Sequence, residues 1–221
     1  MEDLKKKYGD EQVLVIETRN FGEDEHPLTY YSKIDYYGFF MDRCDAEVNP
    51  NFKQIIPYVV IKNGDLYYIT KRLAGDSRLT GRYSIGQGGH INPCDKFTDR
   101  PFTLGNDMVL NCVKRELLEE TNYDEEQQNS LTADFVFIDD SDDVSKVHAC
   151  IMFVLDTNQN IAIKETDKLE GGWYSEDEIT QEMFDNFENW SKIAYEQLFG
   201  RKKPKKVTKK KAKTVKEDTV E

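Results

Sequence analysis

The sequence has no run of 18 consecutive apolar residues, and its opening stretch, MEDLKKKYGDE, lacks the apolar core of a signal peptide. A soluble protein with no membrane span and no visible export route is expected. Cysteine is scarce: Cys44, Cys94, Cys112 and Cys150 stand far apart, with no Cys-x-x-Cys pair. That spacing argues against a zinc knuckle or a disulfide framework and fits a reducing cytoplasm. No internal repeat is present. Hydrophobic residues make up 38% and charged residues 33%, a polar composition for a globular domain but richer in apolar groups than a disordered chain. Twelve Tyr and twelve Phe supply large apolar surfaces, and 221 residues suffice for one well-buried domain.

The charge is unevenly placed. Residues 201–221 carry ten Lys or Arg against three Asp or Glu, a local +7, so the first 200 residues carry −19 of the total −12. An acidic body repels phosphate backbones, which disfavours a nucleic-acid-binding domain, and it suits a protein that gathers divalent cations on carboxylates. The tail RKKPKKVTKKKAKTVKEDTVE has almost no large apolar residues and is expected to be disordered.

Strand and helix signals alternate along the remainder. Residues 12–17 (QVLVIE) read as a strand, and 55–62 and 66–72 as two more around the hairpin signal Asn63-Gly64-Asp65. Residues 82–86 read as a strand running into Gly86-Gln87-Gly88-Gly89, and 107–121 as a helix. Apolar or alternating runs follow at 134–139, 146–155 and 161–165. Ser175-Glu176-Asp177-Glu178 is a capping box opening a helical segment, and Gly200 suits a helix C-terminus after WSKIAYEQLF. The pattern predicts a mixed sheet with one internal helix and C-terminal helices, an α/β or α+β sandwich. We divide it into an N-terminal elaboration (1–54), a main domain (55–200) and the tail (201–221).

Within the internal helix, Glu116, Glu119 and Glu120 sit at i, i+3 and i+4, which places three carboxylates on one face. Val109, Val113 and Leu117 form a separate stripe suited to the core. Hard divalent cations such as Mg²⁺ favour clustered oxygen ligands. Arg115 can pair with Glu119 or brace a neighbouring carboxylate. A Glu-rich helix taken alone is more often a solvated face, but here a strand ending in Gly88-Gly89 precedes it, and paired glycines allow backbone to approach a ligand closely.

Arg115-Glu116-Leu117-Leu118-Glu119-Glu120-Thr121, with Asp107 at the earlier acidic position, resembles the box of the Nudix family. Asn122 stands where that box has Gly, Tyr123 fills the apolar slot, and a twelve-residue insertion lies within 90–106. The stretches IIPYVV, GRYSIGQGGHINP, DDSDDVSKVHACIMFVL, KETDKLEGGWYS and ENWSK resemble a subgroup of bacterial and phage Nudix proteins of uncertain substrate. The resemblance implies an α/β/α sandwich. It also implies a Mg²⁺-dependent enzyme (Mn²⁺ as a substitute) that hydrolyses a nucleoside diphosphate linked to another moiety, in the cytoplasm or a host's cytoplasm. Glu119 and Glu120 would be the main metal ligands, Glu116 a ligand or the base, and the Gly89 carbonyl a further ligand, with Gly88 and Arg115 in support. Glu165 is a candidate distal carboxylate; Arg72, Arg78 and Arg82 are candidate phosphate contacts.

His90 suits either a substrate contact or a loop anchor, and His148 a satisfied core position. Trp173 and Trp190 are expected to pack the C-terminal helices. Two other functions fit the pattern: a non-hydrolytic module binding a nucleotide metabolite, and an RNA-directed hydrolase whose Lys-rich tail steers the nucleic acid. A nucleotide-type small molecule is the favoured partner.

Overall fold

The computed structural model describes residues 2–22, 26–74, 80–96, 105–127, 129–164, 166–200 and 203–204. Among these are nine strands: β1 (Gln12–Glu17), β2 (Phe39–Asp42), β3 (Phe52–Asn63), β4 (Leu66–Arg72), β5 (Tyr83–Ser84), β6 (Gly86–Gly88), β7 (Asn129–Phe137), β8 (His148–Thr157) and β9 (Leu169–Ser175). The helices are α1 (Glu2–Tyr8), α2 (Pro27–Tyr37), α3 (Arg43–Ala46), α4 (Gly105–Glu120), α5 (Gln181–Asp185) and α6 (Asn189–Phe199).

The long strand β3 organises the sheet. It pairs in parallel with β8, from Gln54 opposite His148 to Lys62 opposite Asp156, and β7 extends that side antiparallel. Its other edge is shared in sequence by β1, β6 and β4. β2 adds to β1, while β5 and β9 add to β4. The sheet is therefore mixed.

Side chains alternate across β3, as a pleated strand requires. Ile55, Val59 and Ile61 enter one cluster with Ile34 of α2 and Val109, Val113 and Leu117 of α4. Tyr58 and Val60 enter another with Phe184 of α5 and Ala194 and Tyr195 of α6. Helices thus cover both faces, giving the α/β/α sandwich expected from the sequence. The valine and leucine stripe of α4 is buried, which turns the glutamates away from the core.

Local rules account for most boundaries. Asn63 pairs with Leu66, so the β3–β4 turn is Gly64-Asp65, with Gly64 at φ +58°. That left-handed value suits glycine at the first turn position. α6 ends on Gly200 at φ +63°, the left-handed cap anticipated from sequence.

Four readings differ. The strand expected at 82–86 is two short ones, because the Ile85 N–H donates to Ser191 Oγ and the Gly86 N–H to Tyr58 Oη (3.2 and 3.0 Å). These donors leave the β4 ladder, and the next residues pair with β3 instead. The run at 161–165 keeps only an isolated bridge, Ile163 to Thr121. The capping box of Ser175 and Glu178 is present but opens a single 3-10 turn, Glu176–Glu178. Trp173 lies on β9 against Tyr68 in the α2/α4 cluster, whereas Trp190 packs Tyr58 and Phe137 beneath α6. The basic tail, apart from Lys203 and Pro204, lies outside the described residues.

Candidate active site

The site begins where β6 leaves β3. Three glycines there make room rather than turns, since none has positive φ. A Cβ on Gly86 would lie 2.4 Å from the Tyr58 ring, and one on Gly89 only 1.9 Å from Cδ of Glu116. The Tyr58 hydroxyl sits 2.9 Å from both Ser84 Oγ and Ser191 Oγ while accepting from the Gly86 N–H, which ties the glycine strand to α6. Gly89 is thereby pressed against the carboxyl group of Glu116. Only a residue without a side chain permits that approach.

Arg115 holds the other side of this contact. Its Nη1 donates to Glu116 Oε1 at 2.7 Å and to Glu119 Oε2 at 3.4 Å. Its Nη2 donates to the His90 carbonyl at 2.8 Å. Its Nε and Nη2 grip both oxygens of Asp95, at 2.9 and 3.0 Å. A guanidinium presents a rigid planar fork, so engaging the helix glutamates, the loop carbonyl and Asp95 together sets their relative positions. The Asp95 side chain is 2% exposed, so its charge is buried, with both oxygens on Arg115.

Asp95 was not singled out from the sequence, although a local signal exists. Asn92-Pro93-Cys94-Asp95 forms a capped 3-10 turn in which the Asn92 N–H donates to Asp95 Oδ2 at 2.8 Å. Asn at the cap, Pro next and an acid two further on is a readable motif. The first part of the insertion therefore supplies the anchor for Arg115; residues 97–104 lie outside the described residues.

Burial is the main cause that raises the Glu116 carboxyl above its ordinary range; Arg115 pulls it back and Glu119 adds to the rise. The Glu116 side chain is 19% exposed and that of Glu119 61%, so the cluster runs from a half-buried carboxylate to one open to solvent. Glu120 is half-buried at the end of α4. There Thr121 Oγ1 donates to the Leu117 carbonyl at 2.6 Å. Asn122, at the glycine position of the box, accepts from the Ala162 N–H through Oδ1 and donates to the Asn160 carbonyl through Nδ2 (2.7 and 3.0 Å). A side chain thus fastens the helix end to the 160–162 segment.

Gly89, Arg115, Glu116 and Glu119 are brought into contact, with Glu120 following on α4. Arg72 has another partner: its Nε lies 3.9 Å from Glu188 Oε1, and Arg82 also acts electrostatically on Glu188. No described hydrogen bond or ion pair joins either arginine to Glu116 or Glu119. Glu165 and Arg78 lie outside the described residues. His90 and His148 meet, with ring centroids 5.5 Å apart. His148 is buried, as a core position requires, and its Nδ1 lies 2.6 Å from the Val144 carbonyl. Two surface clefts, one beside Lys62 and Asp156 and the other beside Lys5 and Asp42, include none of these residues.

Comparison with known proteins gives an independent view. No family model matches the chain. Protein YmaB of Bacillus subtilis (strain 168) is 33% identical over 183 residues, spanning 80% of this chain and 86% of its own. The crystal structure of Tm1382, a candidate Nudix hydrolase, superposes with TM-score 0.70 at 29% identity, covering 86% of this chain and 99% of that one. The chain belongs to the Nudix hydrolase family.

Proposed function

We propose that the protein hydrolyses, with Mg²⁺ (Mn²⁺ substituting), a pyrophosphate bond in a nucleoside diphosphate linked to another moiety. The observation that carries this reading is the contact of Gly89 with Glu116 under the brace of Arg115. The donor set fits a hard divalent cation: carboxylates from Glu116, Glu119 and Glu120, and the Gly89 carbonyl, are all oxygen ligands. When bound, such an ion neutralises the pyrophosphate and lowers the pKa of a coordinated water.

The chain's own residues do the rest. Glu119 and Glu120 would hold the ion. Glu116, with its carboxyl raised by burial, serves as a ligand or accepts the proton of the attacking water. Arg115 keeps the Gly89–His90 backbone and the α4 carboxylates in register, so that substrate phosphate meets a preorganised site. A nucleotide-type small molecule is the substrate. The cytoplasm is the proposed place of action, in keeping with four free cysteines, and no helix among the described residues is long and apolar enough to cross a membrane.

The test is chromatographic detection of the cleavage products, a nucleoside monophosphate and the other phosphorylated half, after incubation with Mg²⁺ and ADP-ribose, NADH, dinucleoside polyphosphates, nucleoside triphosphates or capped RNA. Turnover is expected on a nucleoside diphosphate derivative, and Glu119→Gln or Glu120→Gln should lower it at least about a hundredfold while the fold survives. No turnover on any of these, together with tight metabolite binding by calorimetry, would overturn the enzyme in favour of a binding module. Full activity in both variants would move the metal off this helix face.

A further inference from the structure

On the face of the sheet covered by α5 and α6, three side chains outside the α4 carboxylates converge. Glu47 caps α3, His90 follows β6 and His148 opens β8. One ligand atom from each lies within 4.8 Å of the other two. We propose that Glu47, His90 and His148 form a second metal site, selective for a transition metal of the Zn²⁺ class rather than for Mg²⁺.

The two imidazoles carry the argument. His148 Nδ1 lies 2.6 Å from the Val144 carbonyl, an acceptor, so that nitrogen carries the proton and Nε2 presents its lone pair. His90 Nε2 faces it at 3.4 Å. That is long for a nitrogen-donated hydrogen bond, which falls at about 2.7–3.2 Å. It matches two imidazole nitrogens on one tetrahedral ion: metal–nitrogen bonds of about 2.0–2.1 Å set them about 3.4 Å apart. The bond from His148 Nδ1 to a backbone carbonyl is also the outer contact that orients metal-bound histidines.

Glu47 completes a two-histidine, one-carboxylate set, which leaves a further position for water or another ligand. Its carboxylate accepts from Arg43 Nε at 3.3 Å, and Arg43 is itself held by both oxygens of Glu11. Closing onto a shared ion requires Glu47 to move by about 1–2 Å, given carboxylate–metal distances of about 2.0–2.2 Å. A separate observation marks the same place. Gln54 stands directly opposite His148 on β3, on the same sheet face, and is completely buried. Both polar atoms of its amide lack a hydrogen-bond partner. Buried amides are ordinarily satisfied, so an orphan beside these ligands marks where a bound ion's water would find a partner.

Imidazole ligands select for Zn²⁺, Co²⁺, Ni²⁺ or Cu²⁺, whereas the α4 site offers oxygen alone. The two sites share the 89–90 backbone: the His90 carbonyl is bound by Arg115 while its ring meets His148. An ion here would therefore clamp α3 and β8 to the strand end that carries Gly89.

The experiment uses the full chain, stripped with a chelator and titrated with Co²⁺ as a visible probe, followed by Zn²⁺ competition. One equivalent of Co²⁺ should give the intense visible bands of a low-symmetry site, displaced by Zn²⁺ and not by Mg²⁺. His90→Gln and His148→Gln should abolish the bands, Glu47→Gln should weaken Co²⁺ binding at least about tenfold, and the Glu119→Gln/Glu120→Gln double variant should keep them. No bands in the wild-type protein would overturn the proposal. So would their persistence in His90→Gln or His148→Gln, or their loss in the α4 double variant. Because the readout is a spectrum, the outcome is independent of whether the α4 site hydrolyses any substrate.

Discussion

Gly89 is the residue on which the α4 site turns. Any Cβ there collides with the Glu116 carboxyl group, and Arg115 prevents that group from simply swinging away. Gly89→Ala should lower turnover by about a hundredfold, on the scale of a displacement of about 1 Å in a reacting group, with little change in melting temperature. Activity assays and a thermal melt on one preparation check both halves. Asp95 carries the complementary load: Asp95→Ala leaves the Arg115 fork without its buried anchor. A stability loss of about 2 kcal/mol in urea unfolding is expected, the scale of charge-assisted hydrogen bonds, together with reduced turnover. The carboxylate spacing was legible from the RELLEE string alone, because i, i+3 and i+4 share a helix face whatever the surroundings. The grip on Asp95 was not, since nothing in the spacing tells which loop returns over Arg115.

At the scale of elements, β1, β4, α4 and α6 follow their sequence signals closely, because period, hairpin chemistry and helix caps act within a few residues. Gly200 illustrates such a cap: φ is +63° and an added Cβ meets nothing within 4 Å, so only backbone strain opposes substitution. Gly200→Ala should cost about 1 kcal/mol of stability, measured by chemical denaturation, without altering turnover. The strand expected at 82–86 failed for a nonlocal reason. Ser191 and Tyr58, distant in sequence, take the Ile85 and Gly86 N–H groups and divide the strand. Lys53 is also set by tertiary partners: almost wholly buried on β3, it donates to Asp140 and to the Ser145 and Lys146 carbonyls ahead of β8. Lys53→Met should lose about 1–3 kcal/mol, the cost of stranding buried acceptors.

For the whole molecule, a largely buried carboxyl at the start of α6 makes stability depend on pH. Glu188, at the start of α6, has its carboxyl raised by burial, with Arg72, Ser84 and Arg82 opposing the rise. A carboxyl raised in the folded state binds its proton more tightly there than in the unfolded chain. Its contribution is full below the unfolded value of about 4.3 and is lost as pH rises through the folded value. Glu188→Gln should therefore gain stability relative to the wild-type protein as pH rises from about 4 to 7. Urea midpoints at several pH values check this, and a constant difference would remove Glu188 from the account.

What the sequence by itself determined is local: the α4 helix with its buried stripe and outward glutamates, the Gly64 turn, the Gly200 cap, and a glycine strand placed ahead of the carboxylates. Each follows from periodicity or backbone freedom within one element. Only the tertiary structure decided that Glu116 lies against Gly89, that Asp95 grips Arg115, and that His90 meets His148 near Glu47. Those neighbours are set by which strands pair, above all β3 with β8 in parallel. A parallel partner arrives from far along the chain, and no local pattern encodes its register.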